Sequence, residues 1–331
     1  MTGPVDLVPE SSRGRLRPAA RPPAAQAMLA TLTDRYFSDP GWLFERKLDG
    51  ERVLAVREHG RVRLLSRNGN PVTGYPEIVE ALSDGSPDLL VDGEVVAFDG
   101  NQTSFARLQR RMQIADPDRA RRTGVAVHYY LFDVLYADGY DLTRLPLRQR
   151  KAVLRRALRF TDPLRYTAHR NEQGERYLRQ ACRAGWEGLI AKRADAPYHP
   201  GRSRDWLKFK CGHEQEFVIG GFTDPAGSRI GFGALLIGYH ERGRLRYAGK
   251  VGTGYDRDTL RRLRERLDRR ETGAAPFVAP PRGRGIHWVR PELVAEVGFS
   301  EWTDGGMLRH PRFLGLRRDK SPDQVIRERP Q

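Results

Sequence analysis

The sequence predicts an α+β fold in two parts, a larger domain of antiparallel sheets with flanking helices followed by a small β-barrel. Three observations predict it. Short runs rich in β-branched and aromatic residues recur from Trp42 onward. Amphipathic helical stretches lie between them without the regular alternation of a βαβ repeat. After Cys211–Gly212 the chain becomes a series of glycine-broken strand patterns around one helix. A length of 331 residues fits two domains. We place them at 26–212 and 213–331, after a flexible basic tail at 1–25 that is rich in Pro, Ala and Arg.

Taken in order, "RVLAVRE" and "RVRLLSR" flank His59-Gly60 and read as a hairpin. "LLVDGEVVAFD" and "VHYYLFDVLY" read as two further strands. Apolar residues at three- and four-residue spacing predict helices over Leu147–Leu158 and Gly174–Ala184. In the second part "EFVIGGFT", "GALLIGYHERGRLRYAGKVG" and "ELVAEVGFSEWT" supply the barrel strands. Between them, Leu260, Leu263 and Leu267 share one face of an arginine-rich helix.

No run of about 18 apolar residues exists and the N-terminus lacks a secretory pattern, which predicts a soluble, cytoplasmic protein without a membrane span. Cys182 and Cys211 lack metal-ligand spacing and are expected reduced, as in a cytosol. A formal net charge of +16 points to a polyanionic partner, nucleic acid first. The chain holds only seven lysines against 51 arginines. Where arginine serves as the general positive charge, a retained lysine marks a place that needs a compact ammonium or an amine able to lose its proton.

The common nucleotide fingerprints fail. "GRLRYAGKV" has the wrong spacing for a phosphate loop and valine where Ser or Thr should stand, and "GFGALL" lacks a third glycine. What remains is a set of lysines, acids and arginines on strand-like segments. "FERKLDGER" carries Glu45, Lys47, Asp49 and Arg52, with Asp49-Gly50 reading as a tight bend that aims Lys47. "SRNG" carries Arg67, "VDGEVV" Glu94 and "YLFDV" Phe132. "EGLIAK" carries Glu187 and Lys192, and "WLKFK" sets Lys208 and Lys210 on one strand face. Each alone has an ordinary structural reading as turn, core residue or protected edge strand.

Together and in this order, these segments resemble the covalent nucleotidyltransferases, and among them the ATP-dependent DNA ligases. They are most similar to the ligase module of bacterial ligase D. "GWLFERKLDGERV", "LLSRNG", "DGEVVAFD", "EGLIAKR", "YHPGRSRDWLKFK", "EFVIGGFT", "YAGKVGTGY" and "FLGLRRDKSP" carry the likeness from about Met28 onward. Six of the seven lysines fall inside these segments and Lys151 does not. Two departures are the basic tail and Ala27, which stands where the family usually has proline.

The resemblance implies an adenylation domain followed by an OB-fold barrel. It implies nick sealing through a lysyl-AMP on Lys47 and an adenylated DNA 5′ end, with ATP and Mg²⁺ or Mn²⁺. By the same resemblance Glu45 accepts from the adenine amino group, Phe132 stacks on the base and Glu94 binds the ribose. Arg52 and Arg67 contact phosphate, Lys208 and Lys210 assist Lys47, and Lys192 supports the pocket. Asp49 and Glu187 hold the metal. Arg317, Asp319 and Lys320 orient pyrophosphate, which calls for a hinge near Gly212. The implied partners are nicked or broken duplex DNA and, for end joining, the end-binding protein Ku with separate polymerase and phosphoesterase proteins, the chain itself acting as a monomer. The alternatives are an RNA ligase or capping-type guanylyltransferase, or an inactive nucleic-acid-binding module.

Overall fold

A computed structural model describes residues 6, 8–20, 26–83, 88–225, 227 and 230–328. The chain divides into two compact units, the first ending at Cys211 and the second starting at Gly212.

The longer strands of the first unit are β1 (Met28–Leu32), β2 (Trp42–Lys47), β3 (Glu51–Glu58), β4 (Arg61–Ser66), β5 (Leu89–Val96), β6 (His128–Ala137), β7 (Leu164–Tyr166), β8 (His169–Asn171), β9 (Gly188–Arg193) and β10 (Gly201–Lys210). Its longer helices are α1 (Pro76–Ser83), α2 (Leu147–Ala157) and α3 (Gly174–Arg183). One sheet runs β6-β5-β3-β4, extended beyond β6 by the short strands Tyr140–Asp141 and Arg17–Pro18, with β7 also paired to β6. The other runs β8-β2-β9-β10-β1. Pairing is antiparallel except at β7–β6 and β10–β1.

The β3–β4 hairpin turns on His59 and Gly60, both at positive φ, as a two-residue loop of this kind requires. The Asp49-Gly50 bend is not a hairpin. Strand β2 belongs to one sheet and β3 to the other, so residues 48–50 carry the chain between sheets. Gly50 is needed there for close approach, because a Cβ would lie 2.2 Å from the Val95 carbonyl oxygen.

Three of this unit's apolar clusters position the site. Val53, Ala55, Val91, Tyr129 and Leu131 face helix α1 and the loops on one side of the first sheet. Leu54, Val56, Leu90, Phe132 and Trp206 fill the space between the two sheets. Phe44, Leu189, Ala191 and Phe209 pack beneath Tyr177 and Leu178 of α3. Alternation decides this last cluster. Phe44 of β2, Leu189 and Ala191 of β9 and Phe209 of β10 lie on the face that meets α3, which turns the residues between and beside them to the opposite face.

Two expectations are corrected here. Part of the described stretch of the 1–25 tail is docked on the first unit. Val8 is buried in the core, Arg17–Pro18 pairs with Tyr140–Asp141, and the Gln149 amide donates to the Ser12 hydroxyl at 2.8 Å. The composition gave no hint of these tertiary partners, and residues 1–5, 7 and 21–25 lie outside the described set. Cys182 and Cys211, expected reduced, form a disulfide with Cα atoms 5.2 Å apart. Helix α3 delivers the first against the end of β10, where the second follows, so the fold closes a 29-residue separation that sequence spacing leaves unread.

The second unit holds β11 (His213–Thr223), β12 (Leu235–Glu241), β13 (Arg244–Val251), helix α4 (Arg257–Asp268), β14 (Ile286–Phe299) and β15 (Arg312–Arg317). The order is β13-β12-β11-β14, with β15 on β14. A bridge between Thr253 and Arg312 joins the two edges of this sheet into an OB-fold barrel. Leu260, Leu263 and Leu267 of α4 enter its core, as their spacing predicts.

Candidate active site

The register of the second sheet assembles the site. Lys47 lies opposite Gly188, which lies opposite Lys210, while Glu45 lies opposite Ile190, which lies opposite Lys208. One further step along, Leu43, Lys192 and Trp206 form the next row. All these positions share the face turned away from α3. Gly188 keeps the central strand close, since at φ +148° a Cβ would meet the Phe209 carbonyl oxygen at 2.0 Å.

Lys47 Nζ is ion-paired with Glu187 Oε1, and both side chains are largely shielded from solvent. The nucleophile candidate and a metal-ligand candidate are therefore in contact. Asp49 lies two residues beyond Lys47, and its amide donates to the Thr103 hydroxyl at 3.3 Å. Carboxylate oxygens of this kind suit Mg²⁺ or Mn²⁺. The pairing of Glu187 with an ammonium shows that a cation is stable at that carboxylate.

The first sheet supplies the opposite wall. Arg52 lies across from Glu94 on β5 and donates to both oxygens of Asp92, at 2.5 and 2.6 Å. Asp92 is fully buried and also accepts from the Tyr198 hydroxyl at 2.7 Å. Asp92 therefore fixes the Arg52 guanidinium and, with its hydrogen bonds, raises the guanidinium pKa against the opposing effect of burial. Arg67 follows the last β3–β4 pair, Val53–Ser66, at the end of β4 that lies beside Arg52.

Phe132 is covered by cations in this structure. The Arg52 guanidinium carbon lies 4.5 Å from its ring centroid and Lys192 Nζ lies 3.9 Å from it. Trp206 meets the ring edge-on at 5.9 Å. Glu45, the expected acceptor for a base amino group, is 2% exposed and pairs with Lys151 at 2.5 Å and Lys192 at 2.6 Å. Burial alone would push its carboxyl up, but Lys151 first and then Lys192 hold it below the usual range. Lys192 is lowered to about 8, mainly by burial and partly offset by Glu45.

The terminal motif lies in the second unit. Arg317 donates to Glu296 at 2.7 Å and to both oxygens of Asp319 at 3.0 Å. Lys320 pairs with Glu216 at 2.9 Å.

The structure thus gathers Lys47, Glu45, Lys192, Lys208 and Lys210 on one sheet face, with Glu187, just before β9, in contact with Lys47, and with Arg52, Glu94 and Phe132 in the other sheet. Sequence reasoning missed Asp92, Tyr198 and Trp206, although all three sit inside the motifs it quoted. It also missed Lys151, whose signal was the scarcity of lysine itself.

Residues 27–210 match the ATP dependent DNA ligase domain and residues 228–320 match the ATP dependent DNA ligase C terminal region. The chain belongs to the ATP-dependent DNA ligase family. It is 41% identical over 300 residues to the multifunctional non-homologous end joining protein LigD of Pseudomonas aeruginosa, covering 87% of this chain and 35% of that protein. With the LigD of Mycobacterium tuberculosis it shares 40% identity over 298 residues, covering 87% and 37%. The chain therefore spans little more than a third of these curated relatives. A solved mycobacterial DNA ligase D complexed with ATP and MES superposes with a TM-score of 0.67 at 37% identity, covering 92% of this chain and 98% of that one. Among the described residues no helix is long and apolar enough to cross a membrane.

Proposed function

We propose that this chain seals 5′-phosphate/3′-hydroxyl breaks in duplex DNA through a covalent adenylate on Lys47. The observation that carries the reading is the placement of Lys47 on one sheet face with Lys208 and Lys210, in contact with Glu187. The neutral Lys47 amine attacks the α-phosphorus of ATP. A P–N bond forms, the bond to the bridging oxygen breaks, and pyrophosphate leaves. Glu187 is positioned to receive the proton that Lys47 Nζ must lose. Lys208 and Lys210 offset charge growing on the phosphate oxygens. A divalent cation held by Asp49 and Glu187 would lower the proton affinity of the amine and neutralise phosphate charge.

In this reading Arg52, fixed by Asp92, and Arg67 meet the phosphates. Glu94 binds the ribose, and Glu45 and Phe132 receive the base once Lys192 leaves the ring face. Arg317, Asp319 and Lys320 orient pyrophosphate during lysine adenylation after rotation about a hinge near Gly212. The AMP then passes to a DNA 5′-phosphate, and the 3′-hydroxyl displaces it. The +16 charge suits a clamp on backbone phosphates with little sequence preference. The names of the LigD relatives favour a role in end joining. In that role the chain acts as a monomer alongside Ku and separate end-processing enzymes.

A nicked duplex labelled at the 5′-phosphate tests the activity. With ATP and Mg²⁺ or Mn²⁺ the label becomes resistant to phosphatase, and GTP does not replace ATP. Sealing that proceeds equally with Lys47→Ala, or only with GTP, contradicts the proposal.

A further inference from the structure

Helix α2 is amphipathic and strongly basic, and most of its charges reach solvent or the helix ends. Lys151 does not. It is 1% exposed, and its ammonium makes three contacts, to Glu45 at 2.5 Å, the Thr167 carbonyl at 3.0 Å and the Phe132 carbonyl at 3.5 Å. An ammonium has three donors, so this lysine is saturated and fixed by the backbone around it. Lys192 meets the other oxygen of Glu45 but otherwise rests on the faces of Phe132 and Trp206, with its nitrogen 3.9 and 4.1 Å from their centroids. Glu45 thus has one immobile partner and one held mainly by ring faces.

Lys192 Nζ, 2.6 Å from Glu45 Oε2 and above the Phe132 ring, stands where an amino nitrogen of a stacked base would stand. A base displacing Lys192 would find Oε2 already aimed, because Lys151 retains Oε1. We propose that Lys151 is a positioning residue for base recognition, anchoring the Glu45 carboxylate so that its second oxygen accepts from the amino group of the bound base. This rests on the nucleotide-pocket reading above and extends it to a residue outside every segment that carries the family likeness.

A charged acceptor lost from a buried site costs far more than a neutral contact. The anchoring is also electrostatic. Glu45 is faced by Lys151 from α2, Lys192 from β9, His169 from β8 and Tyr166 from β7. Burial and Lys151 hold His169 low, and burial raises Tyr166, so at neutral pH the two lysines supply the positive charge. Without Lys151, burial drives the Glu45 carboxyl up, and its acceptor oxygen is lost progressively as pH falls.

The test compares self-adenylation by ATP with that by its analogue bearing hydrogen in place of the 6-amino group, for wild type, Lys151→Met and Lys151→Gln. Wild type is expected to prefer ATP. In Lys151→Met that preference falls by about ten- to a hundredfold through KM, with kcat little changed. In Lys151→Gln the preference survives near pH 8 and declines toward pH 6, where wild type holds it. If the Met variant does not fold, the pH profile of the Gln variant alone decides. A wild type indifferent to the amino group would remove Glu45 from base recognition and this inference with it. A discriminating wild type beside variants that discriminate equally, whatever their stability, would overturn the inference alone.

Discussion

Asp133→Asn probes how the pocket wall is held. Asp133 and Arg150 are both fully buried, and the guanidinium donates to the two carboxylate oxygens at 2.7 and 2.9 Å. Arg150 also reaches the Leu145 and Ala196 carbonyls, at 2.5 and 3.1 Å. The pair ties α2, which carries Lys151, to β6, which carries Phe132. Asparagine keeps the shape and removes the charge, leaving a buried guanidinium without its counterion. Breaking such a pair from one side costs about 3–5 kcal/mol. At about 2–4 °C per kcal/mol for a unit of this size, the first unit's thermal midpoint falls by about 6–20 °C.

The assay is thermal unfolding followed by circular dichroism, with Arg150→Met and the double variant Asp133→Leu/Arg150→Met alongside. The double variant removes both charges. Its cost is then a few unmet carbonyl bonds, each about 1 kcal/mol. It is therefore expected to be more stable than Asp133→Asn alone. A shift below about 1 kcal/mol for the single variant, or a double variant as costly as the two singles together, would refute the reasoning.

The remaining predictions concern the His287 triad and the disulfide. His287 sits between Glu271 at 2.7 Å and Asp224 at 2.8 Å, and hydrogen bonding to Glu271 first, then Asp224, raises its pKa. A raised pKa gives stability that is complete below the ordinary histidine value of about 6.5 and is lost as pH climbs through the folded value. The wild-type midpoint minus that of His287→Gln should therefore shrink as pH rises from 6 to 9, and a constant difference would contradict the pairing. Reduction of Cys182–Cys211 should lower stability by about 3.6 kcal/mol, given a loop of 29 residues. Denaturant midpoints with and without reductant check this, and free thiols in the unreduced protein would remove the bond from the account.

Much of the site was legible because strands alternate strictly. In Phe44-Glu45-Arg46-Lys47 and Leu207-Lys208-Phe209-Lys210 alternation puts Phe44, Leu207 and Phe209 on the α3 face, and that placed Glu45, Lys47, Lys208 and Lys210 together. The helices over Leu147–Ala157 and Gly174–Arg183 were legible from their periodicity to within a residue. The rest depended on neighbours remote in sequence. Gly50 read as a turn glycine because nothing local announces the Val95 carbonyl against it. Lys151 stood apart as the one lysine outside the matching segments and received no role, because its partners Glu45 and Thr167 come from other strands and loops. Asp92 read as one residue of a strand, because nothing local announces its buried partners Arg52 and Tyr198.

The central claim is a covalent bond to one nitrogen. Incubating the protein with ATP and Mg²⁺ or Mn²⁺, digesting it and locating the added adenylate by mass spectrometry tests that claim most directly. One modified peptide is expected, carrying AMP on Lys47, acid-labile as a phosphoramide and absent from Lys47→Ala. An adenylate on another residue, or one that persists in Lys47→Ala, would contradict it.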